Sequence, residues 1–424
     1  MRKLAPSAHT TRARALRRAV TLTGVLAAVA VATPITATAA AAAPCPNTFG
    51  SISAAGPAGC FRPYAGNSVF NRQIPTNPAL APNSRAIIST MAANHVGFEG
   101  GRSAFAFTTG DGRDGIYYSQ PSDPTVTVHC TYEWGPGTCA GPGNNVSIDG
   151  KQIHIPAGAR PQDDGSDQHM TIIDQSAGLE YDFEHATWSP DHKTIDVWSG
   201  AEVPIGPDSG TGLGSEATAA DFATLAGLIT EPELASGTIN HALSISVPCT
   251  TGSVYPASGS NGFDCSKITA YSNHGNSPAL GQLLQLNMSD AQIADSHAPA
   301  WQKTIMTAMA HYGLYINDTN GNGGDDIISL EAESDISYTS LGGQPLMANY
   351  VKNHGGTYYS PLSRWILSGP ELNITDFRVL SPCVAQGACS GTGAPQAGVA
   401  SVHHKRTRST GHRKGHKAHR RGRR

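Results

Sequence analysis

The residues best suited to chemistry lie in the stretch GSDQHMTIIDQSAGLEYDFEHATW, which begins at Gly165. Asp167 and His169 stand two apart before one strand-like run, and Asp182 and Glu184 stand two apart in the next. Side chains two apart in a strand share a face, so pairing through the turn QSAG would gather these four. Two carboxylates about 5–10 Å apart are what glycoside hydrolysis requires, one as acid and one as nucleophile or base. The alternative is the exposed polar face of a half-buried sheet.

A second candidate is His241, in the run TINHALSISVP. Its same-face neighbours, such as Leu243 and Ile245, are apolar, which favours a core histidine held by a hydrogen bond. The functional alternative places His241 at the mouth of the fold beside His169. With Tyr181 nearby, the two histidines could then abstract a proton next to a uronate carboxylate, which is the chemistry of a lyase.

A metal site is the third candidate, in the acidic segment NDTNGNGGDDIISLE. Asp318, Asn320 and Asn322 alternate and a glycine follows at the sixth position, as at the start of an EF-hand calcium loop. The twelfth position holds Ser329 where an EF-hand has glutamate, so Asp325 would have to supply a missing oxygen. The sequence is therefore compatible with a structural calcium site here, while a plain Asn-Gly-rich turn is the favoured interpretation. No other cofactor is expected.

Short runs of β-branched and aromatic residues, bounded by turn residues, recur along the chain; DGIYYSQ, TVTVHC and HALSISVP are examples. The 47 glycines and 28 prolines, with only 14% charged residues, favour many short elements joined by turns. This pattern predicts a mainly β fold, an antiparallel jelly-roll-like β-sandwich with a few inserted helices. Helices are predicted from Asn83, from Ser215, and over APAWQKTIMTAMAHYG, which ends at Gly313.

The two ends of the chain differ in composition from the rest. Residues 1–43 combine a basic start, an apolar run and a string of alanines, which predicts a secretory signal peptide, with an uncleaved anchor as the alternative. From Lys405 to Arg424 there are ten Lys or Arg and no acid, which predicts a disordered basic tail over residues 391–424. The remaining region holds 13 basic residues against all 32 acids, a net charge of −19. Residues 44–390 are expected to form one β-sandwich domain.

The eight cysteines fall in four close pairs, a spacing that predicts local disulfides in an oxidising compartment. This agrees with a secreted protein that is extracellular or associated with the cell wall. The expected bridges are Cys45–Cys60, Cys130–Cys139, Cys249–Cys265 and Cys383–Cys389.

Four motifs, in order, resemble a family of secreted β-rich proteins from actinobacteria and related soil bacteria. They are GNSVFNRQIPTNPALAPNS, DQHMTIID with the following EYDF, GTINHALSISVP and TIMTAMAHYGLYINDTNG. The chain departs from the family at Asp182, where glutamate is usual, and at Phe70, where tryptophan is frequent. The resemblance implies secretion and a single β-rich domain, it suggests work on polysaccharides, and it brings no established activity.

Three functions remain open on the sequence. The first is a secreted glycan hydrolase that uses the hairpin carboxylates on cell-wall or environmental polysaccharide. The second is a noncatalytic glycan-binding or wall-binding surface protein, and the third is a polysaccharide lyase. An acidic core slows the approach of a polyuronate, which ranks the hydrolase above the lyase. The tail is expected to bind a polyanionic wall polymer or an anionic membrane surface, and no specific nucleic acid.

Overall fold

A computed structural model describes the chain between residues 52 and 389 with gaps. The described residues are 52–53, 56–57, 61–94, 105–110, 112–135, 137–141, 146–162, 167–268, 271, 276–320, 327–360, 363–367 and 372–389. They all fall within one of the two units into which the chain divides, Ala42–Arg424. The expected signal peptide and basic tail lie outside the described residues. In the part of the chain described here, no helix combines the length and apolar character needed to cross a membrane.

The described strands are short, as the turn-rich composition predicts. They are β1 (Ile52–Ser53), β2 (Gly56–Pro57), β3 (Phe105–Phe107), β4 (Gly115–Ser119), β5 (Thr125–Cys130), β6 (Gln152–His154), β7 (Met170–Asp174), β8 (Leu179–Glu184), β9 (Thr187–Trp188), β10 (Thr194–Val197), β11 (Ser199–Pro204), β12 (Leu243–Val247), β13 (Leu283–Leu286), β14 (Leu314–Thr319), β15 (Ile328–Leu330), β16 (Thr357–Tyr359), β17 (Arg364–Leu367) and β18 (Phe377–Val379).

Seven described helices accompany them. They are α1 (Ser84–Asn94), α2 (Glu231–Ser236), α3 (Asp290–Asp295), α4 (Ala300–His311), α5 (Ile336–Thr339), α6 (Leu346–Asn353) and α7 (Pro382–Gln386). Of the predicted helices, the one from Asn83 corresponds to α1, and the one over APAWQKTIMTAMAHYG corresponds to α4, on which Trp301, Ile305 and Met309 form a buried stripe. The turn after α4 places Gly313 at φ 86°, a left-handed backbone that glycine adopts readily.

Two four-stranded sheets face each other. The first sheet has the order β6-β5-β10-β9 and the second has the order β11-β8-β7-β4. Side chains of both, such as Val128 and Ile195 from the first and Ile172 and Phe183 from the second, form one buried apolar cluster. Burial of this cluster removes apolar surface from water and holds the two sheets together.

The second sheet is also covered on its other face. An eight-stranded sheet, called the large sheet here, has the order β16-β17-β3-β15-β12-β14-β13-β18. Ile116 and Ile173 of the second sheet share a larger core with Leu243 and Ile316 of the large sheet and with Trp301 of α4. Because both of its faces are buried, any polar side chain within the second sheet must find its partners inside the protein.

The fold is mainly β with a few helices, as predicted, but the antiparallel jelly roll is not confirmed. Parallel pairs occur in each of the three larger sheets, namely β5 with β10, β4 with β7, β12 with β14, and β3 with β15, whereas β1 and β2 form a separate antiparallel pair. Period-two patterning identifies a strand without stating its direction. Direction depends on the connection: β12 and β14 are separated by residues 248–313, long enough for the crossover that parallel strands require.

The helix predicted from Ser215 is wrong, and the segment 211–230 is instead an ordered loop of turns and bridges. Asp221 has φ 63° and Gly227 has φ 83°, conformations that end a right-handed helix. The loop's backbone bonds to its surroundings: the Ala220 N–H donates to the Asn317 carbonyl at 2.9 Å, and the Ser244 N–H donates to the Gly227 carbonyl at 3.0 Å. Tertiary hydrogen bonds thus replace the helical ones that the local pattern favoured.

Three of the four predicted disulfides are confirmed, and the fourth, Cys45–Cys60, lies outside the described residues. The bridges are Cys130–Cys139, Cys249–Cys265 and Cys383–Cys389, closing segments with sequence separations of 9, 16 and 6. Each therefore pins a local loop, as the spacing of the cysteines indicated.

Candidate functional site

A row of polar residues crosses one end of the second sheet, where its four strands begin or end. The register pairs Gly115 with Met170, Met170 with Phe183, and Phe183 with Gly200. One residue further out, the same register aligns Asp114, His169, Glu184 and Ser199 across the four strands. Since Met170 and Phe183 face the first sheet, this next row faces the large sheet.

Asp114 and His169 form the centre of the row. They immediately precede the parallel strands β4 and β7, so their side chains leave adjacent strands on the same face. Both are half-buried. Burial lowers the pKa of His169, but the negative charges of Asp114, Glu184 and Asp167 outweigh it and raise the pKa above its usual value.

A bulge in the large sheet precedes a second carboxyl, Asp318, which interacts electrostatically with His169 and Glu331. β12 and β14 pair in register up to Ile245 and Ile316, and then Ser246 pairs with Asp318, which leaves Asn317 as the extra residue. A bulge resets the alternation of side chains. Asp318 therefore shares a face with Ser246, whose hydroxyl donates to Glu331 at 2.9 Å. Without the extra residue Asn317, the residue paired with Ser246 would directly follow Ile316.

An ion pair links the two walls of the site. Arg113, next to Asp114 in the chain, donates from Nη1 to Oε2 of Glu331, which follows β15, at 2.7 Å. Both side chains retain partial exposure, 21% and 17%. The pair therefore bridges the second and large sheets at a partly exposed place, which is called the cleft here.

The cleft contains a small cavity next to these charged groups. It has a volume of about 20 Å³, enough for a water molecule. Asn317 is buried, and its Oδ1 has no hydrogen-bond partner. A buried carbonyl oxygen without a partner is costly, so a bound donor would relieve it. The lining residues are Arg113, Asp114, Ile116, Thr218, Thr224, Leu228, Asn317, Glu331 and Ala332.

Beneath the cleft lies a pair of carboxyls, Glu180 and Asp182, two apart on β8 and both buried. Asp182 accepts hydrogen bonds from Thr171 at 2.9 Å and from Ser215 at 2.5 Å. Glu180 accepts from the Tyr64 hydroxyl at 2.8 Å and from the Leu225 N–H at 2.8 Å. Burial raises the pKa of both, and that of Glu180 lies well above its usual range, with the nearby Asp182 charge adding to the effect.

The pKa values of Asp114 and Asp318 are also raised. Burial raises the pKa of Asp318 to about 6, although the N–H groups of Thr319 and Ala219 donate to its carboxylate and oppose the shift. Burial likewise raises the pKa of Asp114, and the charge of His169 acts in the opposite direction. Carboxyls with raised pKa values in a partly desolvated setting are characteristic of acid–base sites.

The predicted hairpin is confirmed: β7 and β8 pair through the turn at residues 175–178. Its four candidate side chains do not share one environment. Asp182 is buried, Asp167 is exposed, and Glu184 is half-buried and accepts from Ser199 Oγ at 2.7 Å. Of the four, His169 lies among the charged groups of the cleft and Asp182 forms part of the floor. The exposed-face interpretation does not describe Asp182, because the large sheet covers that face.

His241 is buried in the core and its ring is fully bonded. Its Nε2 lies 2.8 Å from Glu233 Oε1, and its Nδ1 lies 2.9 Å from the Ala242 carbonyl. Glu233 also accepts from the hydroxyl and the N–H of Thr230, at 2.8 and 3.1 Å. Both ring nitrogens face acceptors, so the imidazolium form suits this place. No described contact joins His241 to His169.

The calcium site stays a prediction, because Asn322 and Asp325 lie outside the described residues. The two described members have protein partners: Asp318 accepts from backbone N–H groups, and the Asn320 side-chain amide donates to the Ile327 carbonyl. Within the ranges that the structure describes, no three His, Cys, Asp or Glu side chains are grouped so that they could hold a metal ion.

Sequence reasoning missed Asp114 and the catalytic potential of Asp318. Asp114 sits in GRDGIYY, directly before a strand-like run, and an acid at the start of a strand gives no sign of which strand lies beside it. The spacing of Asp318 to Asn320 resembles a metal loop and gives no sign of a second role. Only the pairing of β4 with β7 and the bulge in β14 place these residues at one cleft.

A buried carboxyl outside the cleft gives a prediction on stability. Burial raises the pKa of Glu333 to about 7 from 4.5. The folded protein thus keeps a proton that the unfolded chain releases, so the free energy of unfolding falls as pH rises from about 4.5 to 7. We expect Glu333→Gln to match the wild type near pH 4 and to be more stable by about 3 kcal/mol at pH 8.

Urea unfolding at pH 4, 6 and 8 measures this difference. The Tyr338 hydroxyl donates to Glu333 Oε1, and the glutamine carbonyl can accept the same bond. Glu133→Gln, at an exposed position, is the matched control and is expected to follow the wild type at each pH. Parallel stability curves for Glu333→Gln and the wild type would contradict the prediction.

Comparison with known proteins found no relative of this chain. It matches no family model, no curated protein and no solved structure.

Proposed function

We propose that this protein is a secreted hydrolase that cleaves glycosidic bonds in the cleft between the second and large sheets. The observation that carries the proposal is that two carboxyls with raised pKa, Asp114 and Asp318, both interact electrostatically with His169 and Glu331 beside a small cavity. Glycoside hydrolysis needs one carboxyl that holds a proton and another that can accept one. The cleft offers both within a partly desolvated setting.

The two carboxyls have different surroundings, which assigns their roles. Asp318, with a pKa of about 6, holds a proton at mildly acidic pH and donates it to the oxygen of the departing sugar. Asp114 lies beside two cations, His169 and Arg113, whose charges favour its ionised form against the effect of burial. Asp114 takes a proton from the water that attacks the sugar carbon, so one proton is given and one is recovered. The cavity beside Asp114 has room for that water.

Two of the three residues that the lyase alternative requires lie away from the cleft. The Tyr181 side chain packs between the first and second sheets, on the opposite face from the cleft. His241 is bound to Glu233 in the core. Only His169 remains at the cleft, and a uronate would meet the carboxyls of Asp114 and Glu331 there. These placements favour hydrolysis of a glycan without carboxylates.

The pH dependence of turnover tests the proposal. We expect hydrolysis of soluble uncharged polysaccharides, with a rate that falls as pH rises through about 6, because Asp318 then loses the proton it must donate. At lower pH the rate is expected to fall again as Asp114 becomes protonated. Release of reducing ends, followed from pH 4 to 8, is the measurement. No release from any uncharged glycan, or a rate that still rises at pH 8, would contradict the proposal.

A secreted hydrolase with a basic tail at residues 391–424 would be retained near anionic wall polymers by electrostatic attraction. The family resemblance, secretion and the tail's partner remain predictions from the sequence, and the local disulfides support an oxidising compartment.

A further inference from the structure

An exposed group of aromatic rings lies at the same end of the second sheet as the cleft. Trp134 is 58% exposed and Trp198 is 37% exposed, although large apolar side chains are usually covered. The Trp134 and Trp198 rings lie 5.8 Å apart, and the His185 ring stacks on Trp198 at 3.7 Å. These three rings are called the aromatic platform here.

The platform is held in place before any ligand binds. Trp134 belongs to the loop that the Cys130–Cys139 disulfide closes. Thr138 anchors that loop, because its hydroxyl donates to the Trp198 carbonyl at 3.2 Å and its carbonyl accepts from the Gly200 N–H at 3.0 Å. A surface that is already ordered loses less conformational entropy on binding.

The third ring, His185, stands on a backbone of unusual geometry at this end of the second sheet. Gln168 has φ 49° and His185 has φ 50°, left-handed conformations that are uncommon outside glycine. Their two chain segments are joined by hydrogen bonds, since the His185 N–H donates to the Asp167 carbonyl at 2.7 Å and the Ala186 N–H donates to the Gln168 carbonyl at 3.1 Å. Strained residues of this kind gather at binding sites, where the surrounding structure enforces them.

The platform and the cleft lie at the same end of the second sheet, on its two opposite faces. The row formed by Asp114, His169, Glu184 and Ser199 crosses four strands, and three strand spacings of about 4.8 Å make it about 14 Å long. Trp198 and His185 lie one residue beyond Ser199 and Glu184, on the side of the first sheet. A ligand that stacks on the platform and also reaches Asp114 must therefore be extended, which a chain of linked sugars is and a single sugar is not.

We propose that the aromatic platform binds a ring of an uncharged glycan chain whose neighbouring rings enter the cleft. The apolar face of a sugar ring packs on an indole, and its hydroxyls reach polar neighbours such as Glu133 and Asp167. Those same carboxylates repel a polyuronate. The position of the platform as a subsite rests on the proposed function, whereas the stacking itself can be measured without any turnover.

Binding measurements test the platform directly. The probes are soluble glucans, xylans and mannans, together with a polyuronate and a protonated glucosamine polymer, each titrated into the mature protein in a calorimeter. We expect binding of at least one uncharged glycan, and we expect Trp134→Ala to weaken it about tenfold or more. Trp134→Phe keeps an aromatic ring and is expected to restore part of the affinity.

Tyr358→Ala is the matched control. Tyr358 is 50% exposed and packs on Trp365 in the large sheet, so its loss removes a comparable exposed ring from another part of the surface. Equal affinities for Trp134→Ala and Tyr358→Ala would overturn the inference. Failure of the wild type to bind any uncharged glycan, or binding of the charged polymers alone, would also overturn it.

The outcome is separable from that of the proposed function. Glycan binding that depends on Trp134 without any cleavage would keep the platform and reject the hydrolase. Cleavage with unchanged affinity in Trp134→Ala would keep the hydrolase and reject the platform. If both hold, Trp134→Ala is expected to raise KM for long chains about tenfold and to leave KM for a short aryl glycoside unchanged, since the short substrate occupies the cleft alone.

Discussion

Asp318→Asn is expected to lower the turnover of an uncharged glycan about 10²- to 10⁴-fold, the range associated with loss of general acid–base assistance. Asparagine keeps the size of the side chain and can still accept from the Ala219 N–H, which donates to Asp318 Oδ2 at 3.1 Å. It cannot donate an acidic proton to a leaving oxygen. The loss therefore reports chemistry, provided that the fold is intact.

Stability measurements on the same variant exclude unfolding as the cause. Because burial raises the pKa of Asp318, its charged form is disfavoured in the folded protein above pH 6. Removing that charge is expected to leave the free energy of unfolding unchanged or higher at pH 7. Asp196→Asn is the control, since Asp196 forms an exposed pair with His129 on the first sheet, 2.9 Å apart. Full turnover in Asp318→Asn would remove this residue from the mechanism.

The variant Asp114→Asn tests the proposed base in the same way. As the base, Asp114 must be ionised, so its amide variant is expected to lose activity to a similar extent across the whole pH range. In Asp318→Asn the fall in rate above pH 6 is expected to disappear, because the group that titrates there is absent. Different pH profiles in the two variants would separate the acid from the base. Identical, unshifted profiles would contradict the assignment of roles.

Glu233→Ala is expected to destabilise the protein by about 3–5 kcal/mol, the usual cost of removing one partner from a buried ion pair. Glu233 is fully buried and lies 2.8 Å from His241. Burial by itself lowers the pKa of His241, but the charge and the hydrogen bond of Glu233 outweigh it, so the folded-state pKa is raised. Without Glu233, the imidazole either gives up its proton or remains an unpaired buried charge.

The matched control is Asp290→Ala. Asp290 lies 2.7 Å from His311, but the two side chains are 73% and 40% exposed, so solvent screens the pair. Its loss is expected to cost less than about 1 kcal/mol. The same chemical pairing thus occurs once in the core and once on the surface, and urea unfolding of the two variants measures the effect of burial. Equal losses would show that the core pair contributes no more than a surface pair.

The pH dependence of the Glu233→Ala effect gives a further check. His241 is protonated in both states at low pH, so the stabilisation by Glu233 is fully present below the unfolded pKa of about 6.5. It declines as pH rises through the raised pKa of the folded protein. The destabilisation caused by Glu233→Ala is therefore expected to be larger at pH 6 than at pH 9.

Local sequence patterns predicted several features correctly, because those features depend on residues that are neighbours in the chain. The three described disulfides join nearest cysteines, and the β7–β8 hairpin follows from two alternating runs around a turn. The stripe on α4 follows from the helical period. The mainly β composition follows from the number of short runs. In each of these cases, the interacting groups are few residues apart.

The candidate site depended on tertiary structure. Whether β4 lies beside β7, and whether β14 carries a bulge, is decided by packing among distant strands, and these two facts bring Asp114 and Asp318 to one cleft. Local preference also failed at residues 215–230, where tertiary hydrogen bonds hold a loop that forms part of the cleft. The sequence by itself determined which residues form strands and local bridges, since short-range geometry controls both. Only the tertiary structure decided which carboxyls meet, because long-range pairing sets their distance, burial and pKa.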